Sequence, residues 1–241
     1  MRHVSVSLVL VAVGLTAAFC VVVLLGFGFR GPGIADTEPA LSVATWIDVA
    51  QGTGARNIVS AIYLNVRLFD TILEVLVFSV AVLGVHFYLT ARGRPEPVES
   101  IPESSVVRVA ADLLLPLILL IGLYVTVYGH LSPGGGFSGG VIAGTGLLLA
   151  AIVLGTKTVT ARLGRRLLDR LEWITLLGIL IVGLVPAALA RTPLVDLLPA
   201  GSPGRVGSGG SILLYNGLIG LKVFVGSWVI IRHFVDHRGE I

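Results

Sequence analysis

The chain is poor in the residues that build metal clusters, disulfide frameworks and charged surfaces. It has one cysteine in 241 residues, Cys20, so neither a disulfide scaffold nor a Cys/His spacing for zinc or an iron–sulfur cluster can be written. No metal site and no cofactor is expected. Charged residues make up only 13%, where a soluble domain carries roughly 25%. No G-x-x-x-x-G-K-[ST] run is present, which excludes a P-loop. No nucleophile stands beside a candidate base, so no catalytic residue is assigned. The net charge of +3 sits at the ends of apolar segments, a topology signal rather than a nucleic-acid face.

What is present is long apolar sequence. Hydrophobic residues reach 55% and the mean hydropathy is +0.95, too much to hide inside one small water-soluble body. Runs at 4–29, 71–91, 107–128, 137–157, 173–190 and 211–231 can each cross a ~30 Å hydrocarbon core. The fold class is therefore all-α integral membrane, with about six transmembrane helices. The first run is too long for a signal peptide and lacks a clear A-x-A cleavage site, while Phe19 before Cys20 argues against a lipoprotein, so it is read as a retained helix. Residues 57–68 are too short to cross alone, and one helix over 57–91 would be about 52 Å long. They are expected to form a re-entrant or interfacial half-helix, tolerated where protein covers the backbone.

Residues 93–106 form a polar, proline-rich connector between a two-span segment, 1–92, and a four-span segment, 107–241. The halves show no self-similarity of the inverted-repeat kind. Counting Lys and Arg by side gives eleven against four in the six-span arrangement, with Arg67 and Lys222 unplaced. The excess places both termini in the cytoplasm of a cell-membrane protein.

Lys222 falls near the middle of the last run, where a charge costs several kcal/mol unless it meets a counter-ion, a wet cavity or a shifted pKa. Tyr215 and Ser211 share its helix face. It marks either an ion path or a docking contact with a carboxylate of another subunit. Arg67, Asp70 and Glu74, spaced i, i+3 and i+7, share another face. An arginine that neutralises one carboxylate leaves the second free for a proton or a hydrated cation, although a solvated helix start would also place acids there. His86 could be a packed histidine or a relay member. Asp112 could complement its helix start or pair with Arg108.

Between the third and fourth runs stands His130-Leu-Ser-Pro133-Gly134-Gly135-Gly136-Phe137-Ser-Gly-Gly140. Pro133 ends one helix, and Gly136, Gly140 and Gly144 form a double G-x-x-x-G face that lets another helix approach. His130 could titrate at the mouth of a path or rest as an interfacial histidine.

This glycine-rich run between two spans, with the later Asn216-Gly-Leu-Ile-Gly-Leu-Lys222, resembles the B subunit of Mrp-type multisubunit sodium/proton antiporters, the MnhB family, over roughly 105–235. The segment Arg67-Leu-Phe-Asp70-Thr71-Ile-Leu-Glu74 is similar to the carboxyl-terminal part of the antiporter A subunit, which membrane-bound hydrogenase complexes carry as a separate small subunit. Asn65 and Val66 stand where that pattern has an acidic and an aromatic residue. The resemblance implies two fused antiporter pieces working among other antiporter subunits in the bilayer. They would help Na+ and H+ cross near Arg67, Asp70, Thr71, Glu74, His130 and Lys222, and bridge subunits through the glycine faces. The same module inside an ion-pumping redox complex, or a purely structural membrane scaffold, are the alternatives.

Overall fold

The computed structural model describes residues 21, 47–48, 51–91, 105–190, 194 and 196–237. Among the described residues the elements are helical, in order α1 (Ile58–Ala61) running into a π-helical turn (Ile62–Val66), α2 (Leu68–Ala91), α3 (Ser105–Val127), α4 (Gly136–Leu154), α5 (Thr156–Leu163), α6 (Arg165–Ala190) and α7 (Ser211–Asp236). Five of them, α2, α3, α4, α6 and α7, are long and apolar enough to cross a membrane. The predicted first span, 4–29, apart from residue 21, and most of the 93–106 connector lie outside the described residues.

The expected half-helix is present as α1 and its π turn. Asn57 opens it, its side chain accepting from the Ser60 amide at 3.4 Å. It is divided from α2 at Arg67, whose backbone leaves the helical region (φ −113, ψ 32). Such a break would strand a carbonyl in an apolar layer, where an unpaired backbone group costs several kcal/mol. Here the buried Thr71 hydroxyl donates to the Tyr63 carbonyl at 2.5 Å.

The stretch expected to join spans four and five is also more structured than a linker. Gly155 and Gly164, both at φ 79, bracket α5, and α6 starts at Arg165 rather than at 173. Its first two turns are helical but polar, which an apolar-run criterion passes over.

Among the five spans α7 is the most buried and α3 the least. Ile212, Tyr215, Ile219 and Val223 of α7 join Leu64, Ile72, Val75 and Ile179 in one core. Val225 and Trp228 join Leu147, Ala150, Val159 and Leu168 in another. In lipid, helix pairing rests on close packing rather than on expelling water from apolar surface, and glycine sets how near these helices come. A methyl group at Gly136 would lie 2.5 Å from the Asn216 carbonyl oxygen, at Gly140 2.6 Å from that of Gly220, and at Gly144 2.9 Å from Ser227 Cβ. The helix admitted by the G-x-x-x-G face is thus the chain's own α7, which corrects the expectation that this face bridges subunits. The opposite side of α4 meets α3, where a methyl at Gly122 would lie 2.8 Å from the Gly139 carbonyl oxygen.

Candidate functional site

Among the described residues, several polar assemblies lie within or at the ends of this apolar bundle. The first ties α1 to the glycine-rich run. Asn216, fully buried on α7, accepts through Oδ1 from the Gly136 amide at 2.9 Å and from the Tyr63 hydroxyl at 3.4 Å, and its Nδ2 donates to Ser60 Oγ at 3.5 Å. Asn57 Nδ2 donates to the carbonyls of Gly129 (2.8 Å) and Ser132 (2.9 Å). Burial pushes the Tyr63 phenol above its ordinary pKa, with the Ser60 hydrogen bond opposing, so the hydroxyl stays protonated and can donate. At Gly135, φ 148, an added methyl group would collide with that hydroxyl, so no side chain fits. Pro133 is exposed at the tip of the run, and Phe137 packs against the first core.

His130 belongs to the same knot. Its carbonyl accepts from the amides of Arg56 (3.0 Å) and Asn57 (2.9 Å). Its imidazole is fully buried, with neither ring nitrogen hydrogen-bonded among the described residues.

The second assembly is the Lys222–Glu172 pair. Lys222, 1% exposed, sends Nζ to the Glu172 backbone carbonyl at 3.2 Å and to Oε1 at 3.5 Å. It stands eleven residues, about 16 Å, into α7, and Ser211 and Tyr215 on its face are buried too. The counter-charge is therefore in the same chain, on α6, and not on another subunit. Sequence reasoning missed Glu172 because the apolar run opens one residue after it. An acid two turns inside a helix that begins Arg-Arg-Leu-Leu-Asp-Arg, at the edge of the apolar run, would have been the signal.

The third is the row on α2. Arg67 pairs with Asp70, Nε to Oδ2 being 2.7 Å, and both side chains are well exposed. Glu74, one turn further, is exposed and pairs with no described residue. The row faces out of the bundle while Lys222 faces in, so the structure does not bring the two together within this chain.

His86 meets His233 of α7, Nδ1 to Nε2 at 3.0 Å, while His233 Nδ1 donates to the Val229 carbonyl at 2.7 Å. That bond leaves Nε2 of a neutral His233 as the acceptor for His86. Asp112 is exposed and forms no ion pair with Arg108, a correction to the i+4 expectation. No group of three or more metal-binding side chains occurs among the described residues.

Comparison with known proteins fits this geometry. A family model described as a domain related to the MnhB subunit of Na+/H+ antiporter matches residues 106–229, just over half of the chain. An uncharacterized protein of Methanocaldococcus jannaschii is 26% identical over 201 residues, 70% of this chain and 73% of that one. A chain of the membrane-bound sulfane sulfur reductase, an archaeal respiratory membrane complex, is similar with a TM-score of 0.69 and 28% identity, over 92% of this chain and 96% of that chain. A chain of the Mrp complex from Dietzia sp. DQ12-45-1b matches with a TM-score of 0.64 and 25% identity over 90% of this chain, which spans only 25% of that longer chain. The protein belongs to the MnhB-related family and is a multi-pass membrane subunit of an antiporter-like complex.

Proposed function

We propose that the chain lines part of a path for Na+ and H+ at the seam between itself and another subunit of the cell-membrane complex. Glu74 carries the exchangeable negative charge, and both termini lie in the cytoplasm. The supporting observation is the state of the α2 row: Arg67 already neutralises Asp70, and Glu74 is left exposed and unpaired among the described residues. A carboxylate on the outer face of an apolar helix is expensive unless ions or a partner meet it. Lys222, held by Glu172 deep in the bundle, is a fixed positive charge that discourages cations from leaking between α6 and α7. Residues 1–92 and 107–241 act as two antiporter pieces joined in one chain.

The test is cation-driven proton movement in inverted membrane vesicles from cells carrying the whole complex with Glu74→Gln. Exchange should fall by an order of magnitude or more, since several kcal/mol of charge stabilisation is at stake, with the complex assembled normally. Undiminished exchange removes Glu74 from the path. A second reading, in which electron flow drives the module, is favoured by the near end-to-end similarity to the respiratory complex chain. Copurifying subunits with cysteine-rich iron–sulfur motifs would select it over a stand-alone exchanger.

A further inference from the structure

On α2, the acidic row continues beyond Glu74. Arg67, Asp70, Glu74, Val77, Ala81 and Gly84 follow one another at steps of three, four, three, four and three residues. Those steps keep the six positions along one side of the helix. The stripe lies apart from the face that α2 spends on its own chain, where Ile72, Val75, Ser79 and Val82 are buried. Val77 is 69% exposed, and a methyl group at Gly84 would meet nothing within 4 Å.

We propose that a transmembrane helix of a neighbouring subunit docks along this stripe and brings a basic side chain to Glu74. Charge names the occupant. Glu74 stands six residues past Leu68, about 9 Å into the span, and its two methylenes do not cover that distance. Acyl tails offer it nothing, and a charge at such a position is retained when a partner or water meets it. The apolar run 4–29 of this chain contains no Lys, Arg or His, so it cannot supply the counter-charge. Deeper along the stripe, Ala81 and Gly84 lack bulk and admit close backbone approach, the usual basis of helix pairing in lipid. The inference extends the seam invoked for the ion path, naming what lies across it.

The experiment uses the whole complex in native membranes, with Val77 replaced by the photoreactive p-benzoylphenylalanine and, as a control, Leu120 on α3. Irradiation at 77 should yield an adduct with another subunit of the complex. The captured peptide should map to a span with Lys, Arg or His within one turn of the level of Glu74, and a captured span with none of these there overturns the counter-charge. Adducts only with lipid, or only with this chain's own 4–29 run, overturn the proposal. In parallel, Gly84→Leu should leave accumulation of the chain unchanged, because the side chain enters open space, yet cut retention of the captured subunit about tenfold. Full retention overturns it. Both readouts report assembly, so a normal cross-link beside undiminished exchange in Glu74→Gln would sink the ion path and leave the docking intact.

Discussion

Replacing Lys222 by methionine removes the ammonium that satisfies both the backbone carbonyl and the carboxylate of Glu172. The side chains are only 1% and 10% exposed, so the surviving carboxylate has almost no solvent to turn to. Breaking one side of a buried pair costs about 3–5 kcal/mol, whereas replacing both partners by neutral groups of similar volume is often close to neutral. Lys222→Met should therefore lower the thermal midpoint of the solubilised complex by on the order of 10 °C. Glu172→Gln should also be destabilising, and the Lys222→Met/Glu172→Gln double variant should recover at least half of the loss. Size-exclusion of the fluorescently tagged chain after heating reads this directly. A double variant whose loss equals the sum of the two single losses would show that the charges do not interact, and would refute the pairing argument.

Other substitutions probe the remaining joints. Asn216→Leu keeps the side-chain branching but strips the Gly136 amide and the Tyr63 hydroxyl of an acceptor; a loss of about 1–3 kcal/mol is expected, seen as a lower midpoint in the same assay. Thr71→Val removes the donor to the Tyr63 carbonyl, so amide exchange across residues 62–70 should quicken, while Thr71→Ser should preserve protection. Gly140→Ala places a methyl 2.6 Å from the Gly220 carbonyl oxygen and 2.7 Å from Val223 Cβ. The forced separation of α4 and α7 should cost about 1–3 kcal/mol, measurable as faster heat inactivation.

The spans from α2 onward were legible because lipid imposes one rule, long apolar runs with charge at their ends, and hydropathy reads that rule directly. The half-helix at 57–68 was legible by length alone. What hydropathy could not show was the polar opening of α6, which hid Glu172 and left Lys222 with a counter-charge sought in the wrong chain. The helix across the Gly136, Gly140 and Gly144 face was missed for a related reason. A small-residue face announces close approach, but nothing in its spacing tells whether the approaching helix is the chain's own. Glu74 is the opposite case: its i+7 relation to Arg67 placed it on a common face from sequence, and the structure shows that this face turns away from the core.

The central claim is that the charge on the outer side of α2 is held at a polar seam between subunits. A density map of the assembled complex in a lipid nanodisc tests it most directly at one atom group, the Glu74 carboxylate. The account predicts a basic or donor side chain of another subunit, or ordered water, within hydrogen-bonding distance, about 3 Å. Acyl-chain density against that carboxylate, with no polar neighbour, would contradict it.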